Sequence, residues 1–329
     1  MFNFFKNATK NVAVPVAVML VLTAPGCAQF QRLPQSYAPE KFVDLYGPPE
    51  PITIEGYEDD CMEPFITPDG SYLFFNNSNE EKVSTHIHMA KRIGKDTFKH
   101  LGILEGTISA QKDMAPSIDD EGNFYFTTTR SYDKDLKSLY VGRLKGEGVV
   151  DAKAVNGNIW PDRHGNIDMD CGVSPNGNTL VISRATFEFG SPGPTKSDLF
   201  IARKVNGKFE VDPSSESIMK QINTSALEYA PALSQDELQL FFTRTSEMII
   251  NNQSQGVKFR MMIASRNTKS EPFGEPLVVK SIDGFNEAPT LTTDCKEIYF
   301  HKKDGNKFRI FRASRLKQKA SSLPTLQNR

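Results

Sequence analysis

Glu63-Pro64-Phe65-Ile66-Thr67-Pro68-Asp69-Gly70-Ser71-Tyr72-Leu73-Phe74-Phe75 is a phrase the chain repeats. A proline or small residue precedes an apolar residue, a turn, and an aromatic or aliphatic strand. Later copies start at Ala115-Pro116-Ser117-Ile118 and run to Phe124-Tyr125-Phe126, and at Cys171-Gly172-Val173-Ser174-Pro175-Asn176-Gly177 and run to Leu180-Val181-Ile182. Two more start at Ala230-Pro231-Ala232-Leu233, reaching Leu240-Phe241-Phe242, and at Ala288-Pro289-Thr290-Leu291, reaching Ile298-Tyr299-Phe300. The anchors Pro64, Pro116, Cys171, Pro231 and Pro289 are separated by 52, 55, 60 and 58 residues. A period of that length, rich in strand formers, predicts an array of sheets rather than one sandwich.

Each copy has two halves. The first is a strand, a turn and a second strand, with explicit turn signals at Pro68-Asp69-Gly70 and Pro175-Asn176-Gly177. The second is a third strand ending in small and basic residues, as in Asp198-Leu199-Phe200-Ile201-Ala202-Arg203 and Arg309-Ile310-Phe311-Arg312-Ala313-Ser314-Arg315. A weaker fourth strand reads Gly274-Glu275-Pro276-Leu277-Val278-Val279 in the fourth copy. Four antiparallel strands per repeat, set radially, describe a propeller blade.

With its acid-x-x-Pro start, its turn and its closing small-x-Arg strand, the phrase resembles the WD-like propeller repeats of TolB type. The resemblance covers about residues 49–316. It speaks for fold and not for function, because the phrase is structural. The fifth copy ends without a fourth strand, while Pro49-Glu50-Pro51-Ile52-Thr53-Ile54 looks like the strand that precedes it. An N-terminal strand completing the last blade would hide an open sheet edge. The expected fold is therefore all-β: a five-bladed β-propeller, four antiparallel strands per blade, its last blade closed by the N-terminal strand.

The start of the chain reads as a targeting segment. Lys6 and Lys10 precede an apolar run from Val12 to Ala24, too short to span a bilayer comfortably. Thr23-Ala24-Pro25-Gly26-Cys27 resembles a bacterial lipobox, though Ala24 stands where the family prefers Leu. That resemblance implies an exported protein with a lipid anchor on Cys27. Ordinary secretory cleavage is the competing reading. Ala28 after the cysteine is not the Asp of inner-membrane retention, so the expected place is the outer membrane, or the periplasm. Residues 1–27 are then leader and lipobox, 28–48 a proline-rich linker, 49–316 the propeller and 317–329 a polar tail.

Composition narrows the function classes. Hydrophobic residues make up 38% and charged residues 24% of 329, as in a globular domain. The formal charge is −1 with Lys and Arg dispersed, which gives nucleic-acid binding no support. With Cys27 lipidated, Cys61, Cys171 and Cys295 remain, and an odd number leaves at least one free. Cys61 and Cys171 are either a disulfide or small residues packed near a crowded axis. No cysteine–histidine cluster indicates zinc. His86-x-His88 on a predicted third strand reads as a polar face, with no third ligand in sight.

Acids stand just before each first strand: Glu58-Asp59-Asp60 with Glu63, then Asp113, Asp168 with Asp170, Glu228 and Glu287. Bases return on the second strand at Arg130, Arg184, Arg244 and Lys302. In a propeller both sets would gather at one mouth of the central channel. Such a rim is either a network of ion pairs between strands or a site for a polar ligand. Trp160, the only tryptophan, lies in an insertion at Asn156–Ile167 and either anchors that loop or touches the ligand. Further insertions lie at Thr186–Ser197 and Thr245–Val257.

Three functions follow. One is a non-enzymatic propeller binding an envelope protein or a glycan. The second is a carbohydrate-active enzyme, with Asp60, Asp113, Asp168 and Glu228 as its candidate carboxylates. The third is a structural cation held in the channel; no other cofactor is expected.

Overall fold

The computed structural model describes residues 40–79, 83–191, 193–250 and 253–317. The leader, the lipobox with Cys27 and most of the tail lie outside them. The described chain is all-β, a propeller-type array of antiparallel meanders.

The first meander runs Met62–Ile66, Tyr72–Asn76, Ile87–Arg92 and Thr97–Ile103. The second runs Asp113–Ile118, Asn123–Thr128, Leu139–Lys145 and Gly148–Ala154. The third is Asn166–Val173, Thr179–Thr186, Lys196–Val205 and Lys208–Val211. Next come Leu227–Leu233, Gln239–Ile250, Gln253–Ser265 and Leu277–Val279. The last has Asn286–Leu291, Glu297–Asp304 and Lys307–Ser314. A single parallel bridge, Ser197 to Leu227, joins the third and fourth meanders into one sheet.

The turns follow from side chains that hydrogen-bond their own backbone. Thr67, Ser174, Ser234 and Thr292 each donate a hydroxyl to the Asp or Asn two residues on: Asp69, Asn176, Asp236 and Asp294. That carboxylate or amide oxygen then accepts the backbone N–H two residues later.

Apolar faces of neighbouring meanders share cores. Phe74, Ile87 and Met89 of the first pack with Phe124 and Phe126 of the second. Tyr125 and Leu139 meet Leu180 and Ile182. Leu199 and Ile201 meet Phe242 and Met262, and Phe241 and Ile263 meet Ile298 and Phe300. Ile66 and Phe75 of the first meander pack with Tyr299 and Ile310 of the last.

The N-terminal segment does more than complete one meander. Phe42–Val43 lies parallel to Leu277–Val279. Tyr46 is buried and donates its hydroxyl to the Cys295 carbonyl at 3.0 Å. Glu50–Pro51 then pairs antiparallel with Lys307–Ser314, as the sequence suggests, and Thr53–Glu55 continues as a parallel partner of Thr97–Lys99 in the first meander. Ordered pairing thus begins inside the stretch read as linker, and the strap crosses three meanders. The insertion at Thr245–Val257 is in large part a longer hairpin: strands of 12 and 13 residues carry the fourth meander outward.

Candidate functional site

Every first strand carries a register shift at its anchor: it spans Pro64, Pro116, Pro231 and Pro289, and in the third strand falls just before Cys171. Glu63, Ala115, Ala230 and Ala288, each next to the anchor proline, have φ of +47°, +49°, +50° and +55°. A bulge with positive φ re-aims the neighbouring side chains. It divides the acids into two groups.

Three stand three residues before the anchor: Asp113, Asp168 and Glu228. Each is buried and salt-bridged to an arginine on its own second strand or, for Arg130, two residues past its end. Arg130 meets Asp113 at 2.8 Å. Arg184 holds Asp168 bidentately at 2.7 and 3.1 Å, and Arg244 holds Glu228 at 2.7 Å. Each arginine also donates to a carbonyl of the incoming loop, at Thr107, Ile159 and Ile222. Ser109 and Thr224, four residues before their acids, add a backbone N–H and a hydroxyl. Burial raises the carboxyl pKa of Asp168 and Glu228, with the arginines opposing it. These are staples between a first strand, a second strand and a loop. Neither cavity on the axis is lined by these acids.

The equivalent positions of the outer copies are Cys61 and Asn286, and there the staple is missing. Asn286 faces Lys302 in register, and Lys302 lies over the Phe311 ring at 5.6 Å. The sequence sets all of these acids and bases round one opening, but Glu287 and Asp170 stand apart from the stapled acids. Glu287 stands two residues before its anchor and Asp170 one, so the pleat and the bulge turn them elsewhere. Asp60, part-buried, accepts the Phe308 N–H at 2.9 Å and ties the first meander to the last. Trp160 is partly buried against the core between the second and third meanders, with Lys137 Nζ 5.9 Å from its ring. Cys61, Cys171 and Cys295 are buried free thiols.

Asp170 and Glu287 gather on the axis with Glu63, His301, Tyr229 and Asn79, around a cavity of about 50 Å³. Glu287 accepts the Tyr229 hydroxyl and is 3.1 Å from His301 Nε2. His301 Nδ1 accepts the Glu63 backbone N–H at 3.0 Å, which leaves Nε2 to donate. Asn79 donates to Glu63 Oε1 at 2.7 Å, while Glu63 Oε2 is buried and has no hydrogen-bond partner among the described residues. Burial first, then the charge of Asp170, pushes the Glu63 carboxyl up to about 8. Burial also pushes Asp170 up to about 6, against the hydrogen bond it accepts from the Ala230 N–H. On the other side of the bulges a wider cavity opens, walled by Pro64, Phe65, Pro116, Pro231, Leu233 and Leu291. No group of three or more His, Cys, Asp or Glu among the described residues is placed to hold a metal ion.

Sequence reasoning named Glu63 among the acids of the first copy but gave it no role, and it missed Tyr229, His301 and Asn79. Distance from the anchor, counted in single residues, is the signal that separates the groups.

No family model and no curated protein matches the chain. Among solved structures, the fold is similar to TolB from Acinetobacter baumannii, at 15% identity and a TM-score of 0.41. That match covers 78% of this chain and 55% of the other, so the chain spans about half the length of that TolB. The catalytic domain of the Coprinopsis cinerea GH62 α-L-arabinofuranosidase is 9% identical with a TM-score of 0.48, over 84% of this chain and 97% of that one. MPT-1, a GDP-Man-dependent mannosyltransferase from Leishmania mexicana, is 10% identical with a TM-score of 0.47, over 82% and 90%. Likenesses this distant assign no activity.

Proposed function

We propose that this is a five-bladed propeller, exported and tethered by lipid on Cys27, that works by binding rather than by catalysis. The cyclic sharing of cores and the N-terminal strap support the blade count. The observation that carries the binding reading is that Asp113, Asp168 and Glu228 are each salt-bridged to an arginine and line neither of the two axial cavities. A glycosidase needs an acid and a base or nucleophile open to a sugar.

The wide mouth lined by prolines, Phe65, Leu233 and Leu291 is the binding surface. Its mixed wall, with these apolar residues beside Ser117, Gln235, Thr290 and Thr292, suits a segment of an envelope protein better than a glycan, since sugars stack on exposed Trp or Tyr and the one tryptophan is used in packing. The enzyme reading has one point in its favour: Glu63 and Asp170 have raised pKa values on the axis, as a general acid requires. A cavity of about 50 Å³ holds only a few waters, and a sugar ring does not fit it.

The test compares Asp113→Asn, Asp168→Asn and Glu228→Gln with Glu63→Gln and Asp170→Asn, by thermal unfolding and by hydrolysis of a glycan panel. The binding reading expects the first three to lower Tm and no variant to lose a hydrolytic activity of the parent. It fails if the parent cleaves a glycan and a folded variant of either set does not. Cys27→Ala tests the tether: the protein should leave the membrane fraction and no longer incorporate labelled fatty acid.

A further inference from the structure

His86-x-His88 finds its partner across the sheet. His88 lies on Ile87–Arg92 and His100 on the adjacent Thr97–Ile103. His88 Nδ1 and His100 Nε2 face each other at 3.0 Å. Two imidazole nitrogens on one Zn²⁺ at about 2.0–2.1 Å stand about 2.9 Å apart at a right angle and about 3.4 Å apart at the tetrahedral angle. The observed spacing falls in that interval.

The surroundings exclude water on one side. Phe75 stacks on His88 at 5.5 Å, and the Tyr57 ring lies 4.9 Å from each imidazole. A third imidazole, His86, has a buried Nδ1 with no hydrogen-bond partner among the described residues. Neutral imidazole is the form that coordinates metal.

We propose that His88 and His100 form a two-imidazole site for a divalent first-row metal ion, Zn²⁺ in the first instance, with solvent in its remaining positions. Imidazole donors suit that class of ion. In binding, the proton shared between the two nitrogens moves to the far nitrogen of its own ring, and no redox step is involved.

The test titrates tag-free protein with ZnCl₂ by calorimetry, with Co²⁺ absorption as a second readout. His88→Phe and His100→Phe keep an aromatic ring in the cluster, and His164→Ala is the control. The expected result is 1:1 binding that weakens by about tenfold or more in either Phe variant and is unchanged in the control. Saturating Zn²⁺ should also raise the Tm of the parent and of the control alone. Absence of 1:1 binding to the folded parent overturns the site. So does binding that survives in both Phe variants.

Discussion

Arg312 is the charge on which the strap depends. Its side chain is 1% exposed, yet it reaches three carboxylates from distant parts of the chain. It donates to Glu50 of the strap at 2.6 Å, to Asp96 of the first meander at 2.7 Å, and to Glu297 of the last at 2.8 Å. Arg312→Ala removes the cation and leaves the acids facing one another. Breaking a fully buried ion pair costs about 3–5 kcal/mol. Here Glu50, Asp96 and Glu297 keep side-chain exposures of 52, 32 and 25%, so water rehydrates them in part. Exposed pairs bring at most about 1 kcal/mol. An intermediate loss of about 2–3 kcal/mol is expected, or a fall in Tm of roughly 5–10 °C at about 2–4 °C per kcal/mol. Arg312→Met keeps the apolar stem and should lose less, which separates charge from packing. Thermal unfolding of the single variants and of the double variant with Glu50→Gln gives the coupling. Proteolysis near Gly47 should quicken as the strap opens. A fall in Tm below about 1 °C, or additive effects of the two substitutions, would refute a strap latched by Arg312.

Three further outcomes follow. Glu63 has a folded pKa of about 8 against 4.5 for the free group, so the native state holds a proton that the unfolded chain releases. Its ionisation lowers stability by up to about 1.4 kcal/mol per pH unit between those values; the Tm gain of Glu63→Gln over the parent should be larger at pH 8.5 than at pH 5, and an equal gain at both would contradict the burial argument. Cys61, Cys171 and Cys295 are buried thiols with raised pKa values, Cys61 up to about 12. They should resist iodoacetamide at pH 8 in the native protein and all react in denaturant without reductant; a Cys61–Cys171 disulfide would leave two unreacted. Gly172→Ala would put a methyl group 2.4 Å from the Pro231 carbonyl oxygen, where two first strands meet. Misfolding or a Tm loss above about 5 °C is expected, and a native-like Tm would show that the strands can separate there.

The sheets were legible because their determinants are local. Pro68-Asp69-Gly70 and Pro175-Asn176-Gly177 are turns whatever surrounds them, and apolar runs such as Leu240-Phe241-Phe242 must be buried on both faces. The pairing of Glu50–Pro51 with the last meander was also legible, because one missing strand at the end matched one spare strand at the start. The rest of the strap was not. Phe42–Val43 and Thr53–Glu55 are two and three residues long, and both pair in parallel with edges set by the three-dimensional arrangement. No periodicity shows in so few residues. The long hairpin of the fourth meander was read as an insertion for a related reason: Ser254-Gln255-Gly256 lacks the β-branched and aromatic residues that announce a strand.

The candidate site shows a sharper limit. Acids that recur with the phrase turned out to serve it: Asp113, Asp168 and Glu228 keep one distance from the anchor, and each recruits an arginine sixteen or seventeen residues later. A residue required at the same place in several copies is explained by what the copies share, which is the fold. The residues that break the repeat need a different explanation. Glu63 stands where three copies have alanine, and Glu287 where three copies have methionine. His301 and Tyr229 have no like-typed counterpart in the other copies. All four meet at the axial cavity. Packing alone would favour the small or apolar residue used elsewhere, because a buried carboxylate there costs stability. The departures from the repeat, more than the repeat, are therefore where selection beyond folding should be sought. Glu63→Ala and Glu287→Met, which restore the repeat, test this directly. Both should fold at least as well as the parent, and any partner that needs the axial polar cluster should be lost with them.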